Sequence, residues 1–281
     1  MSTFQIENAK KYGDLTLITN APDDGIIAIH DGSGLKSIKV ADFFAKYLCN
    51  NAGAHNSIYR GKNLGSSVTE EQWSAIVAGT FDDMYIGDYW SINSVTYRIA
   101  AFDYYYKTGD ISCEKHHVTL VPDNYMYTYG MNDTDITNGG YYGSKMYKEG
   151  LTQAKNTIRT AFGTNHILNH RQYLTNAVTN GRPSAGSWYN STVELMTEQN
   201  VYGGKVFTPV SDGSTVPTLY TLDKSQYPLF VLNPYMQSNR THFWLRDIIS
   251  TGSFAYVSDY GYANTGNASR ANGVRPAFSI S

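Results

Sequence analysis

Charge, cysteine and long apolar runs are all scarce in this chain. Charged residues make up 16% of its 281 positions, where about 25% is usual for a globular domain. A net charge of −2 with 22 basic residues leaves no electrostatic footprint for duplex DNA or RNA, so no nucleic-acid partner is expected. No stretch approaches the ~20 apolar residues of a membrane helix, and no membrane insertion is expected. Met1 to Tyr12 reads MSTFQIENAKKY; it has no apolar core and is not read as a secretory signal. Two distant cysteines, Cys49 and Cys113, support neither a disulfide framework nor a thiolate zinc site. There is no Gly-x-Ser-x-Gly elbow, and Gly139-Gly140 and Gly203-Gly204 lack the lysine spacing of a phosphate loop.

What replaces the missing charge is aromatic and amide. The chain holds 24 Tyr, 11 Phe, 4 Trp, 25 Gly and 22 Asn. So many aromatics can bury area, which excludes a disordered chain. Tyr, Ser, Gly and Asn are also the residues that paratopes favour, because they combine rigid contact area with adaptable hydrogen bonds. The length allows one large domain with a small extra one.

The N-terminal segment, 1–48, reads as a small β unit. Leu15 to Ile18 is a strand candidate closed by the turn-rich Asn20 to Gly25. Ile26 to His30 and Leu35 to Val40 are strand-like runs, and Asp31-Gly32-Ser33-Gly34 between them predicts a hairpin. Asp42 can cap a short helix carrying Phe43, Phe44 and Leu48. A lone hairpin is marginal in water, so this unit should pack on another copy or on a larger particle. Residues 49–64 are polar and rich in Gly, Asn and Ser, and read as a linker.

Residues 65–281 read as an α+β, strand-dominated domain. Thr69 with Gln72 forms a capping box opening a helix through Trp73, Ile76 and Val77. Tyr89 to Ile92, Thr96 to Tyr104 and Val118 to Val121 are strand candidates, with Asn93-Ser94 as a tight turn. Leu151, Ala154, Ile158, Ala161 and Phe162 follow helical spacing and stop at Gly163. Ala277 to Ile280 is a closing strand. The N- and C-terminal strands of this domain are expected to lie near each other.

Chemistry-bearing residues are sparse. His166 and His170 have the i, i+4 spacing of helical zinc sites but lack the accompanying glutamate. His116-His117 are adjacent and would face opposite ways on a strand. Neither pair marks a metal site, and no cofactor or metal is expected. Cys113 near these histidines is unpatterned. Asp82-Asp83, Asp88, Asp103 and Asp110 are carboxylates that a glycosidase would need in facing pairs, which spacing alone does not provide. The strongest signal is Ser238 to Pro276, where Tyr, Ser, Asp and Asn crowd between apolar flanks. Two readings stand: a solvated hairpin loop, or an exposed binding face.

Five pieces in order carry a resemblance: Ile86-Gly87-Asp88-Tyr89-Trp90, Tyr97-Arg98-Ile99-Ala100, Val193-Glu194-Leu195-Met196-Thr197-Glu198, Phe243-Trp244-Leu245-Arg246 and Gly273-Val274-Arg275-Pro276-Ala277-Phe278. Together they resemble a C-type lectin-like domain of phage and prophage structural proteins, similar to variable proteins diversified by retroelements. Asp247 stands where that pattern has a serine. The hairpin from Asp31 to Phe43 resembles the attachment and oligomerisation end of phage fibre proteins.

The resemblance implies a virion component made in the bacterial cytoplasm, without enzymatic activity. It implies a homotrimer anchored to other virion proteins by 1–48, with a lectin-like head that binds a host-surface glycan or protein. A decoration protein without receptor binding, or a virion-associated glycan hydrolase, are the alternatives. Arg246, Arg275 and Trp244 are expected to be framework. Tyr256, Ser258, Asp259, Tyr260, Tyr262, Asn264, Asn267, Ser269 and Asn272 are expected to lie exposed on one surface and contact the ligand.

Overall fold

A computed structural model describes residues 25–30, 32–39, 50–209, 225–238 and 240–281. The chain divides into two compact units, Met1–Cys49 and Asn50–Ser281. In the first, β1 (Ile26–His30) and β2 (Leu35–Lys39) pair antiparallel as expected, with Ile27 opposite Ile38. Gly32 has φ +90, a left-handed value that glycine adopts without steric cost. Ile26 and Leu35 stay exposed. The expected strand at Leu15 to Ile18 and the helix after Asp42 lie outside the described residues.

The second unit starts earlier than the composition of 49–64 suggests. Asn51 caps a helical turn, Ala52–His55, through a bond from the Ala54 amide. His55 is buried and stacks on Tyr85 at 4.9 Å. Asn56 exchanges two hydrogen bonds with the backbone of Phe102. The polar residues taken for linker chemistry therefore cap and pin, and 50–64 belongs to the domain.

The strands here are β3 (Asn63–Gly65), β4 (Tyr89–Ile92), β5 (Val95–Phe102), β6 (Val118–Pro122), β7 (Tyr127–Tyr129), β8 (His170–Thr179), β9 (Arg182–Ser191), β10 (Val193–Leu195), β11 (Phe243–Ile248), β12 (Ser253–Val257), β13 (Ala263–Asn267), β14 (Asn272–Val274) and β15 (Pro276–Ile280). They form a six-stranded sheet in the order β10-β15-β6-β5-β4-β3, a five-stranded sheet in the order β13-β12-β11-β14-β7, and a separate β8-β9 hairpin. The α+β, strand-dominated class follows directly. The closing strand β15 pairs with β6 and β10, while β3 sits at the far edge of the same sheet. The terminal strands thus share a sheet without pairing, because β4, β5 and β6 intervene.

Local signals explain much of this. The capping box at Thr69 and Gln72 forms and opens the Glu70–Ala78 helix, which ends at left-handed Gly79. Asn93 and Ser94 both take positive φ, 49 and 65, the backbone of a two-residue hairpin turn between β4 and β5. The Thr152–Phe162 helix buries Ala154, Ile158 and Phe162 and stops at Gly163. The long β8-β9 hairpin was not anticipated, although Asn180-Gly181 at its tip, with φ 52 and 72, is the same turn chemistry.

All of β11 is buried, and its alternation serves two cores. Phe243 and Leu245 enter a core with Trp90, Tyr97 and Phe278. Trp244 and Ile248 enter a second with Tyr141, Leu174 and Phe254. Arg246 is buried too, and its Nη1 donates to Gln172 Oε1 at 2.9 Å. Gln172 Nε2 donates to the Tyr105 hydroxyl, and Tyr141 and Ser191 donate to Glu194. Asp247 accepts the backbone N–H of Glu198 at 2.6 Å. Its carboxylate thus satisfies an orphan donor at the start of the Glu198–Tyr202 helix, which a serine reaches less far to do.

Beside this network His170 stacks on Tyr105 at 3.8 Å, and neither ring nitrogen has a hydrogen-bond partner. Burial, then the nearby His117 and Arg246, push its pKa down from 6.5 to about 3. Burial lowers His117 and His55 in the same direction. Between pH 6.5 and 3 the unfolded chain therefore binds more protons than the fold. Histidine-linked stability is complete above about pH 6.5 and is lost as pH falls through that window. Burial raises the carboxyl pKa of Glu194, which acts with the opposite sign. Acidifying from pH 7 to 5 is expected to cost on the order of 2 kcal/mol through His170 alone. His170→Phe, which keeps a ring against Tyr105, should visibly flatten the drop in melting temperature between those pH values; an unchanged drop would show that His170 is not the acid-sensitive group.

Candidate functional site

The Tyr- and Asn-rich stretch splits into separate places. Asp259 and Asn272 line a cleft of about 310 Å³ with Tyr125, Thr128, Arg240, Thr241, His242, Arg270, Ala271 and Gly273. Tyr260 and Tyr262 are exposed, at 71% and 54%. They sit on the turn joining β12 to β13, with rings stacked at 6.4 Å and nearly parallel. The turn is held by Ser258, whose N–H donates to Tyr262 O and whose Oγ accepts from Tyr260 N.

The expectation of nine exposed residues is corrected here. Tyr256, Ser258 and Asn272 are buried. Tyr256 lies on an inward position of β12, edge-on to Trp244 at 6.1 Å and to His242 at 5.2 Å. It supports the cleft from beneath, and the Arg270 guanidinium lies 5.2 Å above its ring. Asn264 is half-buried and accepts from Thr265 N. Asn267 and Ser269 are exposed but bonded to Asp135, which accepts from Asn267 Nδ2, Ser269 N and Ser269 Oγ. The β12-β13 register places Val257 opposite Ala263 and Ser253 opposite Asn267. Asn267 thus stands a whole strand, about 14 Å, from the tyrosine turn. Parity along one strand could not reveal this, because the stretch is a turn, a strand and a return.

Tyr125, Thr128, Arg240, Thr241, His242 and Arg270 complete the cleft and were not among the expected residues. Arg270 and Arg240 to His242 do fall within the Ser238–Pro276 region that composition singles out. Tyr125 and Thr128 come from over a hundred residues away, by pairing of β7 with β14. No local signal marks them.

The cleft is cationic and partly unsatisfied. Two guanidinium groups face one carboxylate, Asp259. His242 Nδ1 and Asn272 Nδ2 are buried and have no hydrogen-bond partner. Leaving such an atom unpaired costs about 1–3 kcal/mol. The floor is close-packed. A Cβ on Gly273 would stand 2.6 Å from both His242 O and the Tyr125 ring, so only glycine lets the tyrosine lie on the β14 backbone.

Other candidates resolve differently. His166 stacks on Trp73 at 3.9 Å, while His170 is buried against Tyr105; the i, i+4 pair serves two separate packings. His116 Nδ1 bonds Asp103 Oδ2 at 2.7 Å and its ring stacks on Tyr106. His117 Nε2 accepts from Tyr105 N while Nδ1 donates to Lys115 O. Cys113 is buried, and burial raises its thiol pKa, which makes it a poor nucleophile. Among the described residues, no group of three or more His, Cys, Asp or Glu is placed to hold a metal ion, and no helix is long and apolar enough to cross a membrane.

Comparison with family models, curated proteins and solved structures finds no match to this chain. Gly273→Ala is expected to destabilise the domain by about 1–3 kcal/mol through overpacking and to displace Tyr125. Gly143→Ala, where a Cβ meets nothing within 4 Å, should leave the melting temperature nearly unchanged. Equal melting curves for the two variants would contradict the packing described.

Proposed function

We propose that the Asn50–Ser281 unit is a non-enzymatic recognition head, and that its ligand binds in the Arg240–Arg270 cleft beside the Tyr260–Tyr262 pair. The observation that carries this reading is a cleft in which two exposed arginines, Arg240 and Arg270, stand with a single carboxylate, Asp259, next in sequence to the exposed Tyr260–Tyr262 pair. A binding role fits better than hydrolysis, because Asp259 is the cleft's single carboxylate among the described residues, and glycoside cleavage in general uses two.

The setting we propose is a phage virion fibre, with a C-type lectin-like head that attaches to a host-surface glycan or protein. Every residue of the five framework pieces is buried except Tyr89, as a fold-defining set would be. Arg246, Arg275 and Trp244 are buried framework. The β1-β2 hairpin exposes Ile26 and Leu35, apolar surface that suits contact with other virion proteins or with two further copies in a trimer.

Labelled full-length protein should adsorb to bacterial cells of a susceptible strain. Tyr260→Ala/Tyr262→Ala should reduce adsorption at least tenfold, as for aromatic hot spots, with an unchanged melting temperature because both rings are exposed. Normal adsorption with normal melting would remove the pair from the binding face.

A further inference from the structure

Tyr125 is a wall of two clefts. On one side lies the cationic cleft. On the other is a second cleft, also of about 310 Å³, bounded by the β4-β5 turn, the Asp123–Tyr127 loop and the Thr152–Phe162 helix. The second cleft presents Ser94, Thr96, Asn124, Gln153 and Thr157, which are hydroxyl and amide groups. Its one carboxylate, Asp123, is already held by Nε and Nη2 of Arg98 at 2.6 and 2.5 Å. The compartment is therefore polar and electrically neutral.

The ring between the two is fixed. The Met126 N–H donates to Val274 O at 2.9 Å, which locks the loop to β14, and Gly273 leaves just enough room for Tyr125 on that strand. A rigid tyrosine flanked by a two-arginine compartment and a neutral hydroxyl-amide compartment selects a ligand with two chemically different, adjacent units. Arginines suit a carboxylate, hydroxyls and amides suit sugar hydroxyls, and a tyrosine face suits the C–H face of a pyranose. Apolar side chains in the second cleft are confined to Val95, Met126 and the two tyrosines. A protein ligand would need a deeper apolar anchor pocket.

Resting on the reading of the cationic cleft as the recognition site, we propose that the ligand is an acidic oligosaccharide of at least two residues. Its acidic sugar binds at Arg240 and Arg270, and the neighbouring neutral sugar passes Tyr125 into the cleft of Asn124, Gln153 and Thr157.

The test uses the full chain on an array of bacterial-type oligosaccharides of one to six residues, acidic and neutral, with adsorption to cells of a susceptible strain measured in parallel. Bound members should be acidic and at least two residues long. Both Arg270→Gln and Asn124→Ala/Gln153→Ala should weaken their binding at least tenfold, and both changes are at exposed side chains, so melting curves should be normal. An acidic monosaccharide that binds as tightly as its oligomers, or a second-cleft variant that binds normally, would overturn the two-compartment ligand while leaving the recognition site standing. So would cell adsorption that depends on Arg270 with no array member bound, which would point to a protein receptor. Adsorption unaffected by any of these variants would overturn the recognition site itself.

Discussion

One buried cation ties the domain together. Arg275 is almost wholly enclosed, and burial lowers its pKa from 12.5 to about 10, so it keeps its charge at neutral pH. Its Nε donates to Pro122 O at 2.8 Å, and its Nη1 donates to Met236 O at 3.1 Å. Its guanidinium lies 4.9 Å from the Phe243 ring. The six-stranded sheet, the Pro234–Gln237 turn and the central strand of the five-stranded sheet all meet at this group. A guanidinium can do this because it offers several directed donors and a flat face that stacks on aromatics. Removing it would take a donor from the buried Pro122 carbonyl and from the half-buried Met236 carbonyl.

The clefts inherit their geometry from that junction. Pro122 is followed at once by the loop that carries Tyr125, and Arg275 is preceded by Asn272, Gly273 and Val274 of β14. The same few residues therefore set the core and the floor of the cleft lined by Arg240 and Arg270. Tyr256 and Trp244 extend this arrangement beneath Arg270.

Much of the fold was legible locally. The capping box at Thr69, the Asn93-Ser94 turn, the helix ending at Gly163 and the closing strand need only short-range rules. The α+β class follows from them. What escaped was non-local. The 50–64 stretch reads as linker because it is rich in Asn and Gly, and the partners of its Asn56 and His55, Phe102 and Met84, lie far along the chain. The Asn180-Gly181 tip was readable, but its flanking strands carry Pro183, Ser184 and Gly186, which dilute a strand pattern. Gly186 is there because the Tyr173 ring lies across it, 2.4 Å from where a Cβ would stand. At the candidate site the right region was visible in composition, yet exposure was not. Tyr256 and Tyr260 have the same residue type and opposite environments, which are set by strand pairing with β11 and β13 rather than by sequence neighbours.

Strand β13 has one property whose reach is evolutionary. Its buried positions are Ala263 and Gly266; a Cβ at Gly266 would stand 2.9 Å from the Trp244 ring. Thr265 and the tips at Tyr260, Tyr262 and Ala271 point outward and carry no core contact. Exposed substitutions of this kind usually change stability by less than about 0.5 kcal/mol. The rim can therefore wander through many sequences at nearly constant folding free energy, while substitutions in the buried scaffold meet close contacts. A population carrying this domain can explore new surface chemistries one codon at a time without passing through unfolded intermediates.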